Sequence, residues 1–238
     1  MSLDRVIIAL DFSDRKQALQ IVDKLEGAIN FYKVGTELFL SEGERIIDAL
    51  KRRNKKIFLD LKFHDIPNTV QRAVSVSLNF GVDMLTLHTL GGIEMLKRAR
   101  DTVEEEKIKS NISLKLLGVT VLTSLDGKAL EEIFGFSIEV SCLVENLAIM
   151  AKKVGLDGVV ASANEIFLVK EKCGKDFLVV TPGIRLTKLV RDDQKRAVTP
   201  QEAFNRGADY IVVGRAVTLS NNPMDALSTF FRMEHKDA

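Results

Sequence analysis

Cysteine is scarce in this chain of 238 residues, which contains only Cys142 and Cys173. Two cysteines are too few, and too far apart along the chain, for a disulfide framework or a zinc site. The sequence therefore excludes the class of small disulfide-stabilised secreted domains. We expect both thiols to be reduced, as in a cytosolic protein.

The sequence also lacks an excess of charge of one sign and a long apolar run. It has 34 Lys and Arg residues against 33 Asp and Glu residues, so no overall field attracts nucleic acid or an anionic membrane. No apolar run approaches the roughly 18 residues that a membrane span needs, and residues 1–5 lead into a predicted strand rather than a signal peptide. We expect a cytoplasmic protein that binds a small molecule, with no nucleic-acid partner and no membrane.

Eight short apolar segments alternate with segments of helical periodicity, without a linker or a change of composition between them. The predicted strands are Val6–Leu10, Phe31–Val34, a strand that begins at Ile57, Met84–His88, Leu114–Val121, Gly158–Ala161, Phe177–Val180 and Tyr210–Val213. The strands are apolar on both faces, as in a parallel sheet that helices cover. This pattern favours an α/β fold, a (β/α)₈ TIM barrel forming one domain over residues 1–238, over an open doubly wound sheet.

The third strand ends in three charged residues. Side chains alternate along a strand, so Asp60 and Lys62 share one face, and Asp65 follows before Pro67 opens a helix. An isolated Asp-x-Lys pair is usually a structural ion pair. Two carboxylates that share one ammonium lose hydration worth several kcal/mol per ion, however, which stability alone rarely requires. We therefore interpret the cluster as functional.

Other polar residues also follow strands, at the edge of a barrel where active sites lie. Asp11 follows the first strand and Lys33 lies near the end of the second. A long loop joins Thr181 to Thr199, and long loops in compact domains are often functional. The loops after strands seven and eight, which commonly bind phosphate in such barrels, contain Gly183, Arg185, Gly214 and Arg215.

The motif DLKFHDIPNT, residues 60–69, resembles the bacterial type of the orotidine 5′-monophosphate decarboxylase family. Further matches follow the other strands in the order of the family, at residues 10–11, 32–35, 122–124, 181–185 and 213–215. The resemblance covers almost the whole chain. The motif at 60–69 is specific to a small superfamily of barrels, whereas the phosphate-loop matches alone are weak.

The resemblance implies loss of CO₂ from orotidine 5′-monophosphate to give UMP, the last step of de novo pyrimidine nucleotide biosynthesis, with no cofactor and no metal. It makes Lys62 the donor of a proton to C6, with Asp60, Lys33 and Asp65 as the other catalytic residues. It also implies a homodimer with shared active sites, to which the partner subunit contributes Asp65 and Thr69. The implied substrate-binding residues are Asp11, Lys33, Asp60, Ile66, Asn68, Thr69, Thr123 with Ser124, Pro182, Arg185, Gln194, Gly214 and Arg215.

Several alternatives stay open. Thr123 or Ser124 fits the N-cap of the next helix, and Arg185, Arg215 and Gln194 fit a solvated surface. A related sugar-phosphate enzyme of the same superfamily, similar to 3-keto-gulonate 6-phosphate decarboxylases or hexulose-phosphate synthases, would need magnesium and a carboxylate where this chain has Lys33. A nucleotide-binding barrel without catalysis, and an aldolase that forms a Schiff base on Lys62, are further alternatives.

Overall fold

A computed structural model of the chain describes residues 3–110, 113–185 and 198–232. Eight strands form a closed parallel barrel in which each strand pairs with its neighbours in sequence and β8 pairs with β1. The strands are β1 (Val6–Leu10), β2 (Phe31–Gly35), β3 (Lys56–Phe63), β4 (Met84–His88), β5 (Lys115–Val119), β6 (Gly158–Val160), β7 (Leu178–Thr181) and β8 (Tyr210–Val213). The prediction of a (β/α)₈ barrel is confirmed.

Helices follow the strands and cover the outside of the barrel. They are α1 (Arg15–Lys24), α2 (Thr36–Glu42), α3 (Glu44–Lys51), α4 (Pro67–Asn79), α5 (Gly92–Ser110), α6 (Gly127–Phe134), α7 (Val140–Lys153), α8 (Ile166–Cys173), α9 (Pro200–Asn205), α10 (Arg215–Thr218) and α11 (Pro223–Arg232). Short 3₁₀ turns lie at Leu3–Arg5 and Thr89–Gly91. None of the helices in the described part of the chain is long and apolar enough to cross a membrane.

The apolar residues divide into two buried clusters, one on each face of the sheet. The larger cluster packs the outward faces of the strands against the helices and includes Ile57 and Leu59 of β3. The smaller cluster fills the interior of the barrel with Ile7, Ala9, Phe31, Phe58, Met84, Leu117, Val180 and Val212. Both faces of every strand are therefore buried, which explains why the strands read as continuous apolar runs.

Several helix ends follow local sequence signals. Pro67 is the first residue of α4, where a missing backbone donor costs nothing, and Thr199 and Glu202 form a capping box at the start of α9. The N-cap of α6 is Asp126, whose carboxylate accepts a hydrogen bond from the backbone N–H of Ala129. The alternative in which Thr123 or Ser124 caps this helix is therefore wrong, because Asp126 already fills the position.

A Gly-x-Asp sequence occurs just before β4, β6 and β8, and each of its aspartates bonds to the preceding strand near the N-terminal end of the barrel. Asp83 donates its backbone N–H to the carbonyl oxygen of Ile57 (2.9 Å), and its carboxylate accepts the backbone N–H of the same residue (2.8 Å). Asp157 makes the same pair of bonds with Leu116, and Asp209 makes it with Val179. Each aspartate thus sets the register between an even strand and the strand before it, at the end of the barrel opposite the strand C-termini.

Candidate active site

A cavity of 540 Å³ opens at the C-terminal ends of the strands. Its floor contains Ala9, Phe58 and Val212 of the interior cluster. Nine of the predicted site residues line this cavity, namely Asp11, Lys33, Asp60, Lys62, Thr123, Pro182, Arg185, Gly214 and Arg215. The barrel therefore brings together, from six of its eight strand ends, residues that are far apart in the sequence.

Asp60 lies at the centre of a polar network in this cavity and is only 8% exposed. Its Oδ2 accepts a hydrogen bond from Lys62 Nζ at 2.8 Å and lies 3.6 Å from Lys33 Nζ. Its Oδ1 accepts a hydrogen bond from the hydroxyl of Thr86 at 2.9 Å. One buried carboxylate is thus held by two ammonium groups and a hydroxyl.

Lys33 connects Asp60 to a second carboxylate. Lys33 Nζ lies 2.9 Å from Asp11 Oδ1, so the charges alternate along the chain of contacts from Asp11 through Lys33 and Asp60 to Lys62. Gly35 ends β2 beside this array, where an added Cβ would lie 3.0 Å from Lys33 Nζ and 3.3 Å from Asp11 Oδ1. A larger residue at that position would press on the ion pair.

The array keeps its inner members ionised. Burial alone would raise the pKa of Asp60, but the ammonium groups of Lys33 and Lys62 hold it below its ordinary value. Burial would likewise lower the pKa of Lys33, but the carboxylates of Asp60 and Asp11 hold it above its ordinary value. Both groups therefore keep their charges over a wide pH range around neutrality.

Lys62 reaches the cavity through an irregularity in β3. Leu59 pairs with Leu85 of β4, but Phe63 pairs with Leu87. The chain therefore advances four residues along β3 where it advances two along β4, which shifts the register by two residues. Within this slip Lys62 has a φ of +50°, in the left-handed region that a residue with a side chain rarely adopts. The backbone N–H of Lys62 donates to the Thr86 hydroxyl at 2.9 Å. The strand thus bends in a way that places Asp60 and Lys62 side by side.

Four predicted site residues lie away from the cavity. Asp65, Ile66, Asn68 and Thr69 are exposed at the start of α4, and none of them lines the cavity. The carboxylate of Asp65 accepts a hydrogen bond from the backbone N–H of Ile66 at 2.6 Å. Within one chain, these side chains do not join the Asp11–Lys62 array.

The long loop after β7 is closed at its base. Ile184 forms an isolated parallel bridge with Val198, and the backbone N–H of Arg185 donates to the carbonyl oxygen of Val198 at 2.9 Å. Gly183, with a φ of +80°, makes the turn that precedes this bridge. Gln194 lies outside the described residues. After β8, Gly214 precedes the short helix α10.

Comparison with known proteins identifies the family. The chain matches the Orotidine 5′-phosphate decarboxylase / HUMPS family over residues 4–230. It belongs to this family. It is 49% identical over 219 residues to an orotidine 5′-phosphate decarboxylase of Carboxydothermus hydrogenoformans, covering 92% of this chain and 91% of the relative. It is 45% identical to one of Nostoc sp., covering 94% of each chain.

A solved structure agrees with this membership of the decarboxylase family. The crystal structure of orotidine 5′-phosphate decarboxylase from Lactobacillus acidophilus superposes with a TM-score of 0.84 and 38% sequence identity, covering 98% of this chain and 99% of the other. The resemblance seen in the motif at residues 60–69 is thus confirmed over almost the whole length of the chain.

Glu37 and Thr86 are among the site residues that sequence reasoning missed. Glu37, in the first turn of α2, lines the cavity, and its only signal was its position directly after a strand that ends in the site. Thr86 is fully buried on β4, and its only signal was a hydroxyl two positions after Met84 on the inward face. Neither signal is strong, because a single threonine or glutamate at such a place is common.

Proposed function

We propose that the chain decarboxylates orotidine 5′-monophosphate to UMP and CO₂, with Lys62 as the proton donor. The observation that carries the proposal is the Asp11–Lys33–Asp60–Lys62 array at the strand C-termini, above an apolar floor and inside a cavity of 540 Å³. A cavity of that size fits a mononucleotide. The relatives of Carboxydothermus hydrogenoformans, Nostoc sp. and Lactobacillus acidophilus, each named as an orotidine 5′-phosphate decarboxylase, support the same reaction.

The reaction needs what the array provides. When the bond between C6 and the carboxylate breaks, its electron pair stays on C6, where no adjacent carbonyl delocalises it. A fixed positive charge must stabilise this carbanion, and a proton must then form the new C6–H bond. The ammonium of Lys62 supplies both, and it recovers its proton from solvent after the product leaves.

Asp60 acts chiefly by fixing the ammonium of Lys62. Its Oδ2 holds Lys62 Nζ at 2.8 Å, so little reorganisation is needed as charge develops on C6. Repulsion between Asp60 and the substrate carboxylate is a second contribution that we take to be smaller. Preorganisation is favoured because Asp60 is itself held by Lys33 and Thr86.

The arrangement also supports a reaction without a divalent metal. Magnesium prefers oxygen ligands and would have to bind near Asp11 and Asp60, the two carboxylates of the array. The ammonium of Lys33 already lies between them, at 2.9 Å from Asp11 and 3.6 Å from Asp60. A cation there would be repelled, which argues against the magnesium-dependent sugar-phosphate enzymes of the superfamily.

We further propose a cytoplasmic homodimer in which α4 of one subunit completes the site of the other. Asp65 and Thr69 are exposed and lie outside their own cavity, and Ile66 beside them is 66% exposed although it is aliphatic. Exposed aliphatic residues also lie further along α4 and just before and within α5, at Val76, Leu90 and Ile93. Such residues are typical of a surface that a partner covers.

The phosphate of the nucleotide would be bound after β7 and β8. Arg185 and Arg215 line the cavity from these two loops, and a guanidinium matches phosphate oxygens in a two-pronged geometry. Gln194, which belongs to the long loop after β7, would contact the base and the phosphate. Asp11 and Lys33 would bind the ribose hydroxyls, and Thr123 the edge of the pyrimidine.

The decisive experiment follows the ultraviolet absorbance of orotidine 5′-monophosphate mixed with the purified protein, with and without excess EDTA. Loss of the substrate band at the same rate in both samples is the expected result. Turnover that EDTA abolishes would overturn the metal-free mechanism and favour the magnesium-dependent enzymes. Binding of the nucleotide without turnover would overturn the enzymatic proposal in favour of a nucleotide-binding barrel.

A further inference from the structure

Thr86 lies beneath the catalytic array without lining the cavity. Its side chain is fully buried on β4, on the face that points into the barrel, two residues after Met84 of the interior cluster. It faces the stretch of β3 between Leu59 and Phe63, where the register with β4 shifts by two residues. Thr86 is thus a buried polar side chain that β4 presents to the irregular part of β3.

The hydroxyl of Thr86 makes two hydrogen bonds, one as an acceptor and one as a donor. It accepts the backbone N–H of Lys62 at 2.9 Å, and it donates its one proton to Oδ1 of Asp60 at 2.9 Å. A hydroxyl can do both at once, since it has one hydrogen and two lone pairs. The same atom therefore fixes the main chain of the proton donor and the carboxylate that holds the donor's ammonium.

Both groups need such a support. Lys62 adopts a φ of +50°, and strained residues of this kind persist only where the surroundings fix them. Asp60 has two oxygens, and the bond from Thr86 to Oδ1 turns Oδ2 toward Lys62 and Lys33. Without the hydroxyl, the Lys62 amide would lose this bond and the carboxylate would lose the contact that orients its Oδ1.

We infer that Thr86 is a positioning residue that holds the Asp60–Lys62 pair in its reactive geometry. The inference rests on the proposed decarboxylation for its kinetic test only, because both hydrogen bonds join groups of the protein itself. Misplacement of a catalytic group by a fraction of an ångström lowers turnover more than it lowers binding, since the proposed phosphate contacts of Arg185 and Arg215 lie on other loops of the cavity.

The test compares Thr86→Val with Thr86→Ser. Valine keeps the shape of threonine and removes both hydrogen bonds, whereas serine keeps the hydroxyl and removes a methyl group. We expect Thr86→Val to lower kcat about ten- to hundredfold with KM changed less than about threefold, because hydrogen bonds to a charged group are among the stronger ones. Thr86→Ser should stay within about threefold of the native kcat.

A matched control is Thr102→Val in α5, where a buried threonine hydroxyl donates only to the carbonyl oxygen of Arg98, at 2.8 Å. This variant should keep the native kcat. A folded Thr86→Val protein with native kcat would overturn the inference. Equal losses in Thr86→Val and Thr86→Ser would overturn it as well, because the methyl group rather than the hydroxyl would then matter.

Two measurements need no turnover and separate this inference from the proposed function. Hydrogen exchange at the backbone N–H of Lys62 should become faster in Thr86→Val and stay slow in Thr86→Ser. The carboxyl carbon of Asp60, followed by NMR, should titrate at higher pH in Thr86→Val, since a donor has been removed. If the native protein does not decarboxylate the nucleotide, the proposed function fails, and these measurements still decide whether Thr86 positions the pair.

Discussion

Replacing Lys62 by alanine and by glycine tests its chemistry and its backbone geometry separately. Both variants remove the ammonium that lies 2.8 Å from Asp60, so the lost ion pair is common to the two and cancels when they are compared. The remaining difference comes from the φ of +50°. A left-handed conformation costs a residue with a Cβ about 1–2 kcal/mol. Glycine avoids this strain but loses about 0.5–1 kcal/mol more chain entropy than alanine.

The Lys62→Gly protein should therefore be more stable than Lys62→Ala by about 0.5–1 kcal/mol. In a chain of this length the difference corresponds to a rise in Tm of about 1–4 °C, measurable by thermal or urea unfolding. Asn54 offers a matched control, because it lies outside the cavity and has a φ of +56°. The pair Asn54→Gly and Asn54→Ala should show a stability difference of the same sign.

Turnover provides the second readout. Both Lys62 variants should decarboxylate orotidine 5′-monophosphate at least about a thousandfold more slowly than the native protein, because the proton and the charge are lost together. Native turnover in either folded variant would refute the role of Lys62. An alanine variant as stable as the glycine variant would refute the strained geometry of β3 at this residue.

Three further results are expected. Arg215→Ala should raise KM for the nucleotide about tenfold or more, because it removes a proposed phosphate contact. The slow reaction of the nucleoside, which has no phosphate, should be unchanged. If Arg215→Ala and the native protein have the same KM and kcat for the full nucleotide, the phosphate assignment is wrong. Asp83→Ala should lower the free energy of unfolding by about 1–3 kcal/mol, since the N–H of Ile57 loses its partner, whereas Asp83→Asn keeps an acceptor and should lose less. The pKa of Asp60 lies below its ordinary 3.8 in the folded protein, so Asp60 stabilises the fold above that pH and loses this contribution as pH falls through the folded value. The stability difference between the native protein and Asp60→Asn, measured by urea unfolding at a series of pH values, should accordingly shrink at low pH and not at neutral pH.

The faces of β3 were predictable from the sequence although its shape was not. Alternation placed Asp60 and Lys62 on the face of Phe58, and both line the cavity with Phe58. The prediction survived the irregularity of the strand because a slip of two residues leaves the alternation of faces unchanged. The slip itself belongs to the pairing with β4, where the hydroxyl of Thr86 accepts the backbone N–H of Lys62, and no local pattern of β3 contains that pairing.

Other features escaped prediction because they depend on contacts between distant segments. The Gly-x-Asp sequences at Asp83, Asp157 and Asp209 are visible in the chain, but their role becomes evident only when the strand register is known. Between β2 and β3 the chain forms two helices, α2 and α3, which are separated at Gly43 with a φ of +57°. The helix caps, in contrast, follow signals within four residues and were predictable at Pro67 and Thr199.

The charges of the array explain why a second subunit would matter to the chemistry. Within one chain, Asp11, Lys33, Asp60 and Lys62 contribute two positive and two negative charges, so the array is neutral. In the proposed dimer the partner subunit's Asp65 would add a carboxylate, and the array would carry a net negative charge. That charge would attract the ammonium of Lys62, and it would disfavour the substrate carboxylate more than the neutral CO₂ that leaves. Dimer formation would thus act on the proposed proton donor itself, so an Asp65→Asn dimer should bind UMP as the native dimer does and still turn over slowly.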